Sequence, residues 1–276
     1  MPGSAGGDRR HDSLSEIGAL VLDIDGVLYE GECILPGARD LIDRLNQDGI
    51  PYAILSNNTI YPYQYHIDKL VRLGVTNPEN RLLTAAKITA DVLAAEAGKG
   101  VPCFVVGERG LIEALEEAGL TVTQSDYLIA EYVVIGLDRQ LTYEKLKNAA
   151  LAIRNGASFI SSNPDPIYSN GEQLLPASGA VQAALEASTG VLARVTGKPA
   201  LPGFQKALQI VGVEARKAGM LGDQPEIDIH GAVQAGMMSY LIISSLTSVH
   251  AAEYYEYQAD AIFENTQEFY HFWKSR

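Results

Sequence analysis

Short apolar segments alternate along this chain with amphipathic segments that end at glycine. The apolar run Ala19–Leu22 contains no polar residue, which is typical of a strand buried on both faces. A helical pattern follows from near Pro36 to Gly49, then a second strand over 51–59 and a second helix over 63–74. The same alternation continues along the rest of the chain. It predicts an α/β fold, in which crossover helices connect the strands of a parallel sheet.

The alternating elements divide into two series. An Ala-rich helix near residue 82 begins a second set of strands and helices, which ends near residue 192. We therefore expect residues 15–81 and 193–276 to form one α/β unit. Residues 82–192, called the inserted unit below, are expected to form a second one. The first 14 residues are small, polar and charged, so residues 1–14 are expected to be a disordered leader.

The charge of the chain restricts its partners. Its 276 residues carry a formal net charge of -13 at pH 7, without the excess of lysine and arginine that nucleic-acid binding requires. An anionic substrate must therefore be attracted locally, by a metal ion or a placed cation. The two cysteines form no pairing or zinc-binding pattern, and no apolar segment has the length of a membrane span. We expect a cytoplasmic protein that binds neither nucleic acid nor a membrane.

Three of the predicted strands end in polar clusters. These are Asp23 and Asp25 after the first strand, Ser56, Asn57 and Asn58 after the second, and Asp223 after a later one. The carboxyl ends of parallel strands lie at one edge of a sheet, and ligands bind in the crevice there. An Asp-Gly pair alone is also common turn chemistry, so the indication of a site comes from the combination of clusters.

Two carboxylates at the end of a buried strand need a partner, because like charges at short range repel and lose hydration. Mg²⁺ takes oxygen ligands, and it would also neutralise part of an arriving phosphate. Ser56 and the amides around Asn57 are suitable donors to phosphate oxygens. Lys198, in a Gly-Lys-Pro sequence, is a candidate cation for developing charge, although alone it would be interpreted as a solvated lysine.

Four motifs stand in the order typical of one enzyme superfamily. They are D-x-D-G-[VT]-[LI] at 23–28, a strand ending in serine at 55–58, a lysine ahead of a helix at 196–199, and G-D-x4-D at 222–228. With them the chain resembles the haloacid dehalogenase superfamily of phosphohydrolases, over residues 17–274. Within it, the chain is similar to the branch of NagD-type nucleotide or sugar phosphatases, para-nitrophenyl phosphatases and phosphoglycolate phosphatases. The resemblance implies a Rossmann-like core with a parallel sheet and an inserted α/β cap of the C2 type.

The resemblance also implies a role for each matching residue. Asp23 is the expected nucleophile, which forms an aspartyl-phosphate, and Asp25 is the expected general acid and base. The cofactor is expected to be Mg²⁺, bound by Asp23, Asp223 and the backbone carbonyl of Asp25. Substrate binding is expected from Ser56, Asn57, Asn58 and Lys198.

Asp228 lies outside this expected ligand set. It would hold Lys198 or a metal-bound water. An acid in a first helical turn, stabilised by the helix dipole, is the alternative interpretation. The branch often has threonine where this chain has Ile227, so a hydrogen bond that supports the site is expected to be missing near Asp228.

The inserted unit corresponds to the mobile cap of that branch. The resemblance implies that it closes over the site and selects the leaving group, and that it is a candidate surface for a homodimer. Asn163, Asp165 and Tyr168 lie in a stretch that matches a motif of the branch, except that Ala177 replaces a glycine. We expect these three side chains to act on specificity. A rigid turn at 163–166 is an equally good interpretation.

The expected activity is Mg²⁺-dependent hydrolysis of a small phosphomonoester. A sugar phosphate, a nucleotide, phosphoglycolate, glycerol phosphate and pyridoxal phosphate all remain open as substrates. The alternatives are a phosphotransferase or mutase of the same superfamily, and a non-catalytic module that binds phosphate. A dehalogenase is disfavoured, because dehalogenases of this superfamily lack an acid at the position of Asp25.

Overall fold

Two parallel β-sheets organise the chain. The structure is a computed structural model, and it describes residues 17–247 and 258–275. The predicted leader lies outside these residues. In chain order the strands are β1 (Ala19–Leu22), β2 (Tyr29–Glu30), β3 (Cys33–Ile34), β4 (Tyr52–Ser56), β5 (Leu82–Thr84), β6 (Pro102–Val106), β7 (Thr121–Thr123), β8 (Tyr132–Ile135), β9 (Ser158–Ser161), β10 (Ile167–Ser169), β11 (Leu174–Pro176), β12 (Arg194–Val195), β13 (Ala218–Gly222), β14 (Met238–Ile242) and β15 (Ala261–Phe263).

The helices lie between these strands and after the last one. They are α1 (Ala38–Gln47), α2 (Tyr63–Leu73), α3 (Ala85–Ala97), α4 (Arg109–Glu117), α5 (Tyr143–Arg154), α6 (Ser178–Thr189), α7 (Leu201–Val211), α8 (His230–Gln234) and α9 (Thr266–Lys274). A π-helical turn, Pro225–Ile229, precedes α8, and 3-10 turns lie at Pro78–Asn80 and Ala215–Lys217. Across the part of the chain that is described, none of the helices has the length and apolarity needed to cross a membrane.

Both sheets are parallel throughout. Within residues 17–247 and 258–275 the larger sheet has six strands in the order β15-β14-β13-β1-β4-β5, and the smaller sheet has five in the order β12-β9-β8-β6-β7. Every neighbouring pair in either sheet runs in the same direction. The predicted α/β fold with helical crossovers is confirmed.

Two short strands pair across the predicted boundaries, each with the sheet of the other unit. β5 stands at the start of the inserted unit but pairs with β4 in the larger sheet. β12 follows the inserted unit but pairs with β9 in the smaller sheet. The chain therefore passes to Lys198 directly from an edge strand of the smaller sheet. The division into two units stays a prediction.

β1 lies inside the larger sheet, between β13 and β4. All of its residues are buried, and alternate ones pack into separate apolar cores on the two faces of the sheet, as expected from its apolar sequence. Leu22 pairs with Leu221 of β13 and with Ile54 of β4. Asp23 therefore emerges at the carboxyl edge of the sheet, next to the ends of both neighbours.

Two antiparallel hairpins have no counterpart in the sequence prediction. β2 pairs with β3, and β10 pairs with β11. Strands of two or three residues are too short to show the alternation of apolar and polar residues that predicts a strand. The second hairpin carries Tyr168.

Candidate active site

Asp23 lies in the wall of a cavity, one residue beyond β1. Its backbone N–H donates to the carbonyl of Leu221 at 2.9 Å, which fixes the end of β1 against β13. Its Oδ1 accepts the N–H of Ile24 at 2.7 Å and lies 2.9 Å from Nζ of Lys198. Both of these side-chain contacts, taken over the described residues, fall on Oδ1. The other carboxylate oxygen is therefore available for a ligand or a reaction.

Three buried carboxylates meet at this point. Asp23, Asp223 and Asp228 each present an oxygen, and the three oxygens lie within 4.8 Å of one another. Oδ2 of Asp223 accepts from the hydroxyl of Ser244 at 2.6 Å, whereas its Oδ1 is buried and has no hydrogen-bond donor among the described residues. A buried carboxylate oxygen without a donor is costly, and a hard divalent cation would satisfy it. The donor set therefore fits such an ion.

Asp228 is committed to other partners at both of its oxygens. Oδ1 lies 2.6 Å from Nζ of Lys198, and Oδ2 accepts the backbone N–H of Asp223 at 3.2 Å and of Gln224 at 3.0 Å. The residue stands in the π-helical turn that follows β13. Of the two expected uses of Asp228, the structure displays the contact with Lys198. The same side chain also holds the turn that carries Asp223.

Two glycines allow the carboxylates to approach this closely. Gly26 has a φ of +81°, and a Cβ there would lie 2.1 Å from Oδ2 of Asp223. A Cβ on Gly222 would lie 2.2 Å from Cβ of Asp228. Any other residue at these positions would displace a carboxylate of the cluster.

Lys198 is 1% exposed, so it is not the solvated lysine that this residue, taken alone, would indicate. Burial alone would lower the pKa of its ammonium, but the carboxylates of Asp228 and Asp23 outweigh that effect and raise the pKa. Lys198 is therefore a permanent cation between the two acids.

Burial also shifts the acids of the cluster. Loss of hydration raises the pKa of Asp23 well above its usual range; Lys198 opposes the shift, and the neighbouring carboxylates add to it. Loss of hydration and the charge of Asp228 raise the pKa of Asp223 to about 8. These shifts belong to the metal-free protein, in which one lysine faces three acids. A bound cation would reverse them.

Asp25 lies apart from the cluster, with its side chain exposed to the cavity. Partial loss of hydration between the cavity walls raises the pKa of Asp25, against the charges of Lys69 and Lys198 and a hydrogen bond from Asn58. A raised pKa favours the protonated form, which a general acid requires.

The second polar cluster combines anchoring and cavity-lining groups. Ser56 is 1% exposed, and its Oγ accepts the N–H of Asn58 at 3.1 Å. The amide of Asn57 bonds to Asp165 and to both backbone groups of Lys198. Asn57 and Asn58 line the cavity. The side chain of Asn57 is thus hydrogen-bonded to protein groups, whereas its position in the sequence predicted that it binds the phosphate of the substrate.

Asn163, Asp165 and Tyr168 all line the cavity, in two different settings. Asn163 and Asp165 are buried, and Nδ2 of Asn163 donates to Oδ2 of Asp165 at 2.7 Å. Loss of hydration raises the pKa of Asp165, against its hydrogen bonds and the charge of Lys198. Tyr168 is half-buried on the β10–β11 hairpin.

The cavity has a volume of about 450 Å³ and is lined partly by residues that sequence patterns did not single out. These are Tyr61, Tyr65, His66, Lys69, Arg139 and Gln224. Lys69 is 5% exposed, with Nζ donating to the carbonyl of Gly31 at 2.6 Å and lying 4.4 Å from the ring centre of Tyr29. A lysine on an amphipathic helix is normally solvated. One sequence feature could have identified Lys69: it lies three residues after His66, and both are on the buried face of α2.

Comparison with known proteins gives consistent relatives. Residues 20–121 match the haloacid dehalogenase-like hydrolase family, and residues 195–269 match a second, HAD-hydrolase-like family. The acid sugar phosphatase of Staphylococcus aureus (strain USA300) is 38% identical over 219 residues, which are 79% of this chain and 83% of that protein.

Solved structures agree over nearly the whole chain. The 4-nitrophenylphosphatase of Thermotoga maritima is 29% identical and has a TM-score of 0.84, with 94% of this chain and 98% of that chain covered. NagD from E. coli K-12 is 29% identical and has a TM-score of 0.78, with 91% and 98% covered.

Proposed function

This chain belongs to the NagD-like branch of the haloacid dehalogenase-like hydrolases and is a phosphoric monoester hydrolase, and from that premise we propose that it requires Mg²⁺ and works through an aspartyl-phosphate. We further propose a small phosphorylated metabolite as the substrate, with sugar phosphates as first candidates. The observation that carries the proposal is the buried trio of carboxylates, one oxygen of which has no hydrogen-bond donor among the described residues, at the wall of a cavity.

In the proposed mechanism Asp23 is the nucleophile. The contacts of Lys198 and Ile24 with Oδ1 support Oδ2 as the attacking oxygen, because they hold the carboxylate in one orientation. Oδ2 forms a bond to phosphorus while the bond from phosphorus to the leaving oxygen breaks. Lys198 neutralises charge that develops on the phosphoryl oxygens.

Asp25 is the proposed proton carrier. Its raised pKa supports a protonated carboxyl that donates to the leaving alkoxide. The resulting carboxylate then takes a proton from the water that attacks the phosphorus of the aspartyl-phosphate. The bond from phosphorus to Oδ2 of Asp23 breaks, inorganic phosphate leaves, and both acids return to their starting forms. Ser56 and Asn58 are proposed donors to phosphoryl oxygens.

Mg²⁺ would be held by Asp23 and Asp223, with the backbone carbonyl of Asp25 as a further ligand. When bound, it supplies positive charge that orients the phosphate and neutralises its oxygens. The Oδ1 of Asp223 without a donor supports this assignment. Asp228 stays outside the ligand set, since its oxygens are used by Lys198 and by backbone N–H groups.

The lining of the cavity supports a small polar leaving group. Tyr61, Tyr65 and Tyr168 line it with aromatic rings, and acids, amides and Lys69 lie between them. Aromatic faces with nearby hydrogen-bonding groups suit the alternating apolar and hydroxyl surfaces of a sugar. The S. aureus relative carries the name acid sugar phosphatase, which supports the same class.

The test of the proposal is hydrolysis of 4-nitrophenyl phosphate, followed by a panel of sugar phosphates, nucleotides, phosphoglycolate and glycerol phosphate. Chelation should abolish hydrolysis, and Mg²⁺ should restore it. Ca²⁺ should not, because its larger and more flexible coordination shell spoils in-line geometry. Full activity in excess chelator would rule out the metal requirement. A preference for nucleotides over every sugar phosphate would rule out the substrate class.

A further inference from the structure

The carboxylate of Asp165 joins groups from three separate loops. Its Oδ2 accepts from Nδ2 of Asn57 at 2.7 Å and from Nδ2 of Asn163 at 2.7 Å, and its Oδ1 accepts from Nε2 of Gln224 at 3.2 Å. Asn57 follows β4 and Gln224 follows β13, both in the larger sheet, whereas Asp165 and Asn163 follow β9 of the smaller sheet. One buried anion thus connects the polar ends of both sheets.

Asn57, in turn, holds the backbone of Lys198 from two sides. Its Oδ1 accepts the N–H of Lys198 at 2.9 Å, and its Nδ2 donates to the carbonyl of Lys198 at 3.1 Å. The same Nδ2 donates to Asp165. The amide plane of Asn57 is therefore fixed at both ends, and its orientation decides whether it can receive the Lys198 backbone.

The segment before Lys198 is fixed by the smaller sheet as well. β12 pairs with β9, and the N–H of Gly197 donates to the carbonyl of Ser162 at 2.8 Å. A Cβ on Gly197 would lie 2.3 Å from that carbonyl and 2.9 Å from Oδ1 of Asn57. The smaller sheet thus fixes the chain just before Lys198, and Asn57, in a loop of the larger sheet, binds the backbone of Lys198.

We propose that Asp165 is a positioning residue for Lys198, which it acts on through Asn57, so that the smaller sheet helps to assemble the reactive centre. This proposal rests on the proposed function, in which the Lys198 ammonium contacts Asp23. It differs from the sequence expectation, which assigns Asp165 to substrate specificity. The two assignments predict opposite kinetics.

The geometry predicts what each substitution does. Asp165→Ala removes the acceptor, so Nδ2 of Asn163 loses its partner and Nδ2 of Asn57 keeps only the carbonyl of Lys198. Asp165→Asn keeps one acceptor oxygen for those two donors, and its own amide group can donate to Gln224 after that side chain rotates. A positioning role therefore predicts partial rescue by asparagine, although the negative charge is gone.

Steady-state kinetics on several phosphomonoesters separate the two roles. Asp165→Ala should lower kcat by about 10- to 100-fold for 4-nitrophenyl phosphate and for every accepted sugar phosphate alike, the usual range for a group that orients a catalytic one. KM should change far less, and Asp165→Asn should lie closer to the wild type. A reordered substrate preference with an unchanged kcat for the aryl phosphate would overturn the proposal.

Asp138→Ala is the matched control. Asp138 is also a buried carboxylate near the strand ends of the smaller sheet, 5% exposed, but its Oδ2 pairs with Lys145 at 2.6 Å and its Oδ1 accepts the N–H of Gln140. Asp138→Ala should retain kcat within a few-fold. Asn57→Ala breaks the same link from the other side. The kcat of the double variant Asn57→Ala/Asp165→Ala should be no lower than the kcat of the less active single variant. Additive losses would overturn the route through Asn57.

Amide hydrogen exchange followed by NMR tests the link without any substrate. In Asp165→Ala the N–H of Lys198 should exchange faster than in the wild type, and in Asp138→Ala it should not. An unchanged Lys198 amide in a folded Asp165→Ala protein would overturn the proposal, whatever the kinetics. Failure of the wild type to hydrolyse any phosphomonoester would instead rule out the proposed function. The exchange result would then still show whether Asp165 holds the backbone of Lys198 through Asn57.

Discussion

Gly26 lies against the carboxylate of Asp223, with a φ of +81°. We predict that Gly26→Ala displaces this carboxylate, lowers kcat by about 10²-fold, as misplacement by an ångström can do, and raises the Mg²⁺ concentration for half-activity. Gly49→Ala is the control: its φ is +65°, and no atom lies within 4 Å of the added Cβ. Both variants carry a similar backbone strain, about 1 kcal/mol, which thermal unfolding will measure. Equal activity in the two variants would contradict the role of Gly26.

The carboxylate cluster also predicts a coupling between metal binding and pH. The pKa of Asp223 is about 8 in the metal-free protein, so its protonated form predominates at pH 6 and declines as the pH rises through 8. Mg²⁺ requires the ionised form, so its affinity should increase from pH 6 to 8 and then level off. Calorimetry in two buffers of different ionisation enthalpy should detect proton release at pH 7. A pH-independent affinity without proton release would contradict this prediction.

Individual site residues differ in how far the sequence could place them. Asp23 and Asp223 end buried apolar strands, so their convergence followed from sheet geometry alone. The partners of Asp228 could not be predicted, because an acid in a first helical turn is also favoured by the helix dipole. Lys69 was missed because lysine on a helix is usually solvated. Only the tertiary fold supplies the carbonyl of Gly31 and the ring of Tyr29 that receive its ammonium.

Among the elements, the β10–β11 hairpin forms part of the cavity wall and carries Tyr168. We predict that Tyr168→Ala changes the ratios of kcat/KM among phosphomonoesters, because differential contact with the leaving group sets these ratios. Metal affinity should stay within a few-fold of the wild type. Leu174→Ala, on the partner strand and 51% exposed before substitution, is the matched control and should alter neither quantity. An equal loss for every substrate in Tyr168→Ala would contradict the prediction.

The strands and helices with a clear period were predicted within a few residues. β1 and β4 fall inside the predicted strands at 19–22 and 51–59, and α2 begins at the predicted residue and ends one residue earlier. The hairpins and β12 were not predicted, because two or three residues carry no usable period and their pairing depends on distant partners. β12 matters most, since it connects the smaller sheet to Lys198.

At the scale of the whole molecule, the site lies where polar ends of both sheets meet, in a chain of net charge -13. An approaching phosphate therefore meets an unfavourable overall field. The compensating charge is local: Lys198 is buried between Asp23 and Asp228, and Lys69 lies in the cavity wall. A divalent cation at the carboxylate cluster would add to it. Carboxylates outnumber these two lysines at the site, so a net positive charge for the phosphate depends on the bound cation.

The central claim is that the phosphoryl group passes through Asp23, with Asp25 carrying the proton. Rapid quenching of the wild type and of Asp25→Asn during turnover of 4-nitrophenyl phosphate, followed by borohydride reduction and peptide mass spectrometry, tests it directly. The reduction converts an aspartyl-phosphate into homoserine. Asp25→Asn should turn over about 10²–10⁴-fold more slowly and accumulate homoserine at position 23, whereas Asp23→Asn should yield none. Homoserine at position 25 of the wild type, or at neither position during active turnover, would contradict the account.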